Sequence, residues 1–237
     1  MKGFVLSRHS QDTEQGLILS YWLVTDHGPV CLQQTQQEAV CFFPLSQQDD
    51  AKHIIQSMAL PSASWRFQQV ALKTFDHEAV MALYMTNQKV FQQVCGVLRE
   101  ANIVLMEQDI QPQERYLMER FISASLVVDG LPEKGTITDT RVKTCDYTPN
   151  IKAISLDIET TMDGKTIHSI AVYAMEQETP VEKVWLHWPA QMPSELLQAV
   201  PPYTQVCENE RQLLKQFIHW LQDYDPDAIM GWSVVQF

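Results

Sequence analysis

The amino-acid sequence predicts an α/β protein in two parts, an α+β first part and a second part built on a mixed sheet. Short runs of β-branched and aromatic residues near the start are typical of strands. Strand and helix patterns then alternate between about residues 79 and 122. Beyond residue 148, three strand patterns precede one amphipathic helix and a further strand, an order that indicates a layered α/β sheet.

The first part, residues 1–148, is expected to begin with strands and to continue as a β-α-β-α unit. The early strands are predicted at residues 3–6, 17–25, 30–32 and 39–43. In the later unit, strands are predicted at 79–85 and 104–110, a helix at 87–100, and a second helix from Pro112, because proline is favoured in a first helical turn. Residues 126–129 and 136–143 are then predicted to form a hairpin.

The second part, residues 149–237, follows a Tyr-Thr-Pro-Asn sequence at 147–150 that is typical of a boundary. Strands are predicted at 151–159, 168–175, 181–188 and 227–232. Between the last two, Asn209 is predicted to cap a helix, since Gln212 follows three residues later in a capping-box arrangement. Asp225-Pro226 is predicted to end that helix.

Composition excludes several classes of protein. No apolar run approaches the roughly 20 residues that span a bilayer, so we expect no membrane association. The five cysteines are widely spaced without a C-x-x-C pair, which disfavours a disulfide framework or a zinc knuckle and favours reduced thiols in the cytoplasm. The net charge of −12 disfavours direct phosphate binding, although cations held by acidic residues can mediate it.

Two carboxylates could carry chemistry. Asp157 and Glu159 lie two apart in a predicted strand, so their side chains project from the same face, while Ile154, Leu156 and Ile158 face the other side and are expected to be buried. Carboxylate oxygens so placed can share a hard cation such as Mg²⁺ or Mn²⁺, which can activate water for attack on a phosphate.

The spacing alone is not specific. The same acid-x-acid pattern occurs elsewhere, for example at Asp76/Glu78 and Glu107/Asp109. From the spacing, a solvated strand face and a metal site therefore remain alternative interpretations.

The order of motifs around the pair is more informative. The segment Leu-Asp-Ile-Glu-Thr-Thr at 156–161 resembles the first exonuclease motif of the family B DNA polymerases. Tyr-Asp-Pro-Asp-Ala-Ile-Met-Gly-Trp at 224–232 resembles the stretch leading into their second exonuclease motif. Glu-Gln-Asp-Ile at 107–110 followed by Arg-Tyr-Leu-Met at 115–118 resembles their N-terminal domain.

This resemblance implies that residues 149–237 are the start of an RNase H-like 3′→5′ exonuclease domain, and residues 1–148 a polymerase N-terminal domain. It implies two-metal hydrolysis of DNA, in which Asp157 bridges two Mg²⁺ or Mn²⁺ ions and Glu159 holds one of them and helps to place the attacking water. Main-chain groups near Thr160 and Thr161 would approach the terminal nucleotide. The parent protein would bind primer-template DNA, a single-stranded 3′ end and nucleotides, in DNA replication and repair.

Two departures from the family pattern qualify these expectations. Ser233 stands where the family commonly has asparagine, which leaves a substrate-contacting group of shorter reach. The family's next aspartate would follow Phe237, so we expect a truncated part of a longer polymerase, with weak metal binding and little activity of its own. Self-association or fraying is expected near residues 232–237.

Two other functions remain open. The chain could be a non-catalytic scaffold that positions template or contacts partner proteins. It could also be a stand-alone nuclease of the same superfamily, although the long β-rich first part disfavours that interpretation.

Overall fold

A computed structural model describes residues 1–176, 178–189 and 193–232 of the 237-residue chain. The chain divides into two compact units, Met1–Pro149 and Asn150–Phe237. Both combine sheets with few helices, which confirms the predicted α/β class. No helix among the described residues is long and apolar enough to cross a membrane.

The first unit is built on two sheets. In chain order its elements are β1 (Lys2–Thr13), β2 (Gly16–Thr25), β3 (Gly28–Gln37), β4 (Ala39–Pro44), α1 (Gln48–Ser57), β5 (Trp65–Lys73), β6 (Ala79–Met85), α2 (Gln88–Glu100), α3 (Pro112–Met118), β7 (Ser125–Val128), β8 (Thr136–Thr138) and β9 (Val142–Thr144). One sheet has the order β8-β3-β2-β1-β7-β9 and the other the order β4-β6-β5.

Each sheet has its own core. Alternating residues of β2, such as Leu19 and Tyr21, pack with Tyr116 and Leu117 of α3 in the first core. Cys41 and Phe43 of β4 pack with Ile55 of α1 and with residues of α2 in the second. Burial of such apolar surface, at about 25 cal/mol per Å², is the main stabilising contribution to both.

The predicted strand at residues 104–110 is wrong. Only Met106 pairs with another strand, through the bonds that Phe42 N donates to Met106 O (3.0 Å) and Met106 N donates to Phe42 O (2.8 Å). Glu107 then adopts a left-handed conformation (φ 57°), which no extended strand allows. The β-α-β-α unit therefore lacks its second strand.

The predicted hairpin at 126–129 and 136–143 is confirmed only in part, because its first strand pairs antiparallel with residues 142–144 alone. Its second half divides into β8, which pairs parallel to β3, and β9, which pairs antiparallel to β7. Gly130 (φ 101°) and Gly135 (φ 81°) turn the intervening chain away through conformations that favour glycine. Sequence patterns also missed α1 and β5.

The second unit is a mixed sheet with one long helix against it. Its elements are β10 (Ala153–Thr160), β11 (Ile167–Glu176), β12 (Thr179–His187), a 3-10 turn (Ser194–Ala199), β13 (Thr204–Cys207), α4 (Glu210–Tyr224) and β14 (Ala228–Met230). The strand order is β13-β12-β11-β10-β14. The three long strands are antiparallel, and the two short strands at the edges run parallel to their neighbours.

Helix α4 begins as the sequence predicts. The Asn209 side chain accepts a hydrogen bond from Gln212 N (2.9 Å), and the Gln212 side chain accepts one from Glu208 N (2.8 Å). One face of the helix then covers one face of the sheet, where Leu213 and Phe217 meet Trp185. The helix ends at Asp225, whose φ of 49° breaks the helical path.

Candidate functional site: an acidic pair on an open sheet face

Asp157 and Glu159 both lie on β10 and are exposed. Their partners across the antiparallel pairing with β11 are Ala171 and Ser169, which are small residues. Residues two apart on a strand project from the same face, about 6.8 Å apart along it. The structure therefore brings the predicted pair together on one face, with space around both carboxylates.

The opposite face of β10 is only partly buried. Ile154 is fully buried and Leu156 packs against the core beneath α4, as predicted. The prediction that Ile158 is buried is wrong, because 39 % of its surface is exposed. The reason is local: β14 pairs with β10 only over Ala153–Ser155, so the later part of β10 has one strand neighbour among the described residues.

Within the described residues of the second unit, no helix covers the face that carries the acidic pair, because α4 packs against the other face. A shallow, open depression of about 190 Å³ lies on this face beside Asp157. Ser155, Tyr173, Glu182 and Tyr203 contribute to its lining. The acidic pair is therefore open to solvent and to a large ligand.

The donor set fits a hard divalent cation, since both groups offer carboxylate oxygens. Within the described ranges, neither carboxylate takes part in a hydrogen bond or an ion pair. The same residues contain no group of three or more His, Cys, Asp or Glu side chains that could hold a metal. The pair thus supplies two protein ligands, and water or substrate oxygens would have to complete a coordination shell.

Thr160 is the last residue of β10, and Thr161 begins the tight turn that follows it. The strand register shifts between Glu159 and Thr160, and Thr161 closes the turn by donating its N–H to Thr166 O (2.8 Å). The Thr161 hydroxyl donates to Asp163 Oδ1 (2.6 Å). This bond, followed by one from the Lys165 N–H, holds the pKa of the Asp163 carboxyl below its ordinary value.

The hydrogen bonds of this turn occupy the main-chain groups of Thr161, which were predicted to lie near the substrate. Its N–H donates to Thr166 O, and its C=O accepts a hydrogen bond from Gly164 N (2.8 Å). The remaining predicted site residue, Ser233, lies outside the described residues.

Sequence reasoning did not single out two hydrogen bonds between Lys152 and Asp227 that join the start of β10 to the start of β14. We call this pair of bonds the clip. Lys152 N donates to Asp227 Oδ2 (2.8 Å), and Asp227 N donates back to Lys152 O (2.7 Å). The available signal was the Asp-Pro-Asp sequence at 225–227, because aspartate side chains commonly accept hydrogen bonds from main-chain N–H groups at turns. The sequence does not show which strand supplies the donor.

Comparison with known families agrees with this architecture. Residues 101–237 match the exonuclease domain of DNA polymerase family B, and residues 3–38 match the N-terminal region of DNA polymerase II. The chain belongs to the family B DNA polymerases. The resemblance inferred from the motifs is thereby confirmed.

Individual relatives agree with the family match. The chain is 37 % identical over 236 residues to DNA polymerase II of Escherichia coli (strain K12), covering 99 % of this chain and 29 % of that protein. It is also similar to the solved structure of the family B DNA polymerase from the hyperthermophilic archaeon Pyrobaculum calidifontis, with a TM-score of 0.71 and 14 % identity. That match covers all of this chain and 31 % of the archaeal chain. The chain thus spans less than a third of the length of either relative.

Proposed function

We propose that the second unit is part of a 3′→5′ exonuclease that hydrolyses the terminal phosphodiester of a single-stranded DNA end by a two-metal mechanism. One observation carries this proposal. Asp157 and Glu159 are exposed on one face of β10 and form no ion pair among the described residues, and they lie inside the region that matches the family's exonuclease domain. Two carboxylates on one strand face, without a cationic neighbour among the described residues, offer oxygen ligands to a divalent cation.

The residues would divide the work by position. Asp157, which has the small Ala171 opposite it, would hold both Mg²⁺ or Mn²⁺ ions, and Glu159 would hold one and orient the attacking water. When bound, the ions would lower the pKa of that water and stabilise the charge that develops on the phosphate. Main-chain groups near Thr160, and Ser233 further along the chain, would contact the terminal nucleotide.

The parent protein is proposed to be a DNA-directed DNA polymerase that proofreads its product during replication and repair. Family membership and the name of the Escherichia coli relative support this proposal. Its partners would be primer-template DNA and nucleotides, and its location the cytoplasm. Residues 1–148 would form the polymerase N-terminal domain and residues 149–237 the start of the exonuclease domain.

The chain by itself is proposed to be nearly inactive. The described residues bring only two carboxylates together, fewer than a two-metal site requires to hold its ions firmly. The same observation favours a second candidate, a scaffold that positions DNA without cutting it. Self-association of the isolated chain is favoured by the edge of β10 beyond Ser155, which has no β14 partner among the described residues and where Ile158 is exposed.

Calorimetric titration with Mn²⁺ tests the metal proposal. We expect weak binding to the natural chain that the Asp157→Ala/Glu159→Ala double variant loses. A matched control is Asp76→Ala/Glu78→Ala, which removes an acid-x-acid pair that is exposed in the first unit. This control should bind Mn²⁺ as the natural chain does.

Equal Mn²⁺ binding by the Asp157/Glu159 double variant and the natural chain would overturn the metal assignment. A single-stranded DNA cleavage assay then separates the alternatives. Strong Mg²⁺-dependent cleavage that the double variant abolishes would refute the proposed inactivity and favour a stand-alone nuclease. DNA binding without metal binding would favour the scaffold.

A further inference from the structure

The start of β10 and the start of β14 are joined by a reciprocal pair of hydrogen bonds. Lys152 N donates to the Asp227 carboxylate (2.8 Å), and Asp227 N donates to Lys152 O (2.7 Å). Ala228 N adds a longer bond to the same carbonyl (3.3 Å). A bond from a main-chain N–H to a carboxylate is charge-assisted and stronger than a neutral one.

Lys152 is held from a second side by the end of α4. Its Nζ donates to Tyr224 O and lies 4.0 Å from the centre of the Tyr224 ring. Tyr224 in turn stacks on Trp220, with ring centroids 4.7 Å apart and an angle of 17° between planes. The clip therefore links three elements: the packed helix, the strand that carries the acidic pair, and the edge strand.

The strand that the clip fastens has little else to fix its register. β14 pairs with β10 over three positions, Ala153–Ala228, Ile154–Ile229 and Ser155–Met230. Its side chains are mostly exposed, so a buried pattern does not specify the alignment. Short strands of this kind can slip, and a slip of one residue reverses which side chains face each side of the sheet.

The alignment bears directly on the acidic pair. Met230 lies opposite Ser155, two residues before Asp157. β14 therefore ends two positions short of Asp157, next to the part of β10 that lacks a second strand neighbour among the described residues.

We propose that Asp227 and Lys152 are positioning residues that set the register of β14 against β10 and so fix where β14 ends relative to Asp157. This inference rests on the proposed exonuclease function for its consequence, because β14 borders the strand that carries the proposed metal ligands. The clip itself touches neither carboxylate of the acidic pair.

The test combines amide exchange with paramagnetic broadening in the intact 237-residue chain, followed by NMR. Without metal, Asp227→Ala should raise the exchange rates of the β14 amides about tenfold, the factor expected for one lost hydrogen bond, while amides of β11 stay protected. Asp227→Asn keeps an acceptor oxygen for Lys152 N and should restore most of the protection. Asp223→Ala is the control, because it removes the same charge four residues away, where the exposed Asp223 carboxylate lies 3.6 Å from the His219 ring.

Added Mn²⁺ supplies a readout that loss of stability alone would not change. Bound at Asp157 and Glu159, this paramagnetic ion should broaden the amide signal of Ala171, which lies opposite Asp157, and those of β14. In Asp227→Ala, broadening at Ala171 should remain while broadening in β14 falls. The Asp223→Ala control should keep both.

The two proposals fail in different ways. No broadening of Ala171 in the natural chain would count against the metal site, and the exchange experiment would still test the clip. Unchanged exchange in β14 of Asp227→Ala would overturn the clip even if Mn²⁺ binds. A uniform rise in exchange across β10, β11 and β12 would also overturn it, because it would show a general structural role rather than a local one.

Discussion

The two units differ in how far the faces of their sheets are buried. In the first unit, alternate residues of β2 such as Leu17, Leu19 and Tyr21 are at most 1 % exposed, and helix α3 packs against the same core. In β10 of the second unit, Ile154 alone is buried, and no helix among that unit's described residues lies over the face with Asp157. The contrast separates a region organised for packing from one organised to leave two charged groups accessible.

Charged groups show the same contrast. In the first unit Arg8 pairs with Glu114, Arg66 with Glu38 and Arg115 with Glu107. The first two pairs are solvent-exposed and contribute at most about 1 kcal/mol each, whereas the Arg115 side chain in the third is only 12 % exposed. Asp157 and Glu159 have no such partner in the described part of the chain, which concentrates negative charge where a cation is expected.

The largest expected effect comes from removing the main core side chain of the second unit. Trp185 is 2 % exposed and lies 5.4 Å from the rings of both Phe217 and Trp220. Trp185→Ala should lower the free energy of unfolding by about 3–5 kcal/mol, because it removes a large buried side chain and leaves a cavity. Urea unfolding followed by circular dichroism measures the change.

Tyr173→Ala is the matched control on the other face of the same sheet. Tyr173 is 46 % exposed, and its hydroxyl lies 3.1 Å from the Met175 sulfur. Surface substitutions of this kind change stability by about 0.5 kcal/mol or less. A loss similar to that of Trp185→Ala would contradict the view that this face is open.

A smaller effect is expected in the first unit, where a strand residue caps a helix. Asp12 accepts hydrogen bonds from Gln88 N (2.7 Å) and Lys89 N (3.0 Å) at the start of α2. Asp12→Ala should cost about 1–2 kcal/mol, because two N–H groups lose their acceptor and the helix dipole loses a favourable charge. Urea unfolding of the variant and of the natural chain measures this difference in the free energy of unfolding. The control Glu14→Ala, two residues further along, should leave the free energy of unfolding nearly unchanged.

Local sequence signals predicted the elements whose causes are local. The Asn209 cap and the amphipathic pattern of α4 depend on neighbouring residues, and the structure confirms both. The alternation in β10 holds only as far as Asp157, because Ile158 is exposed. The acidic pair could be located for the same reason, since a period of two places Asp157 and Glu159 on one face.

The predictions that were wrong depend on contacts between residues far apart in the sequence. The bridge between Met106 and Phe42 joins segments 64 positions apart, and β8 pairs with β3 across a still longer separation. No local pattern in residues 104–110 distinguishes a strand from a segment that makes one bridge. Ile158 was misjudged for a similar reason, because its burial depends on how far β14 extends beside β10.

The smallest expected effect concerns the turn after the acidic pair, and it sharpens the contrast between engaged and unengaged carboxylates. The Thr161 hydroxyl is the main cause of the lowered pKa of the Asp163 carboxyl. A lowered folded-state pKa stabilises the turn fully above the ordinary value of 3.8, and the effect is lost as pH falls below it through the folded-state pKa.

NMR titration of the Asp163 carboxyl should show Thr161→Val moving its pKa upward. Thr160→Val is the control, because the Thr160 hydroxyl donates to Thr161 O and does not reach Asp163. An equal upward shift in both variants would show that the turn as a whole, rather than the Thr161 hydroxyl, sets the pKa of this carboxyl.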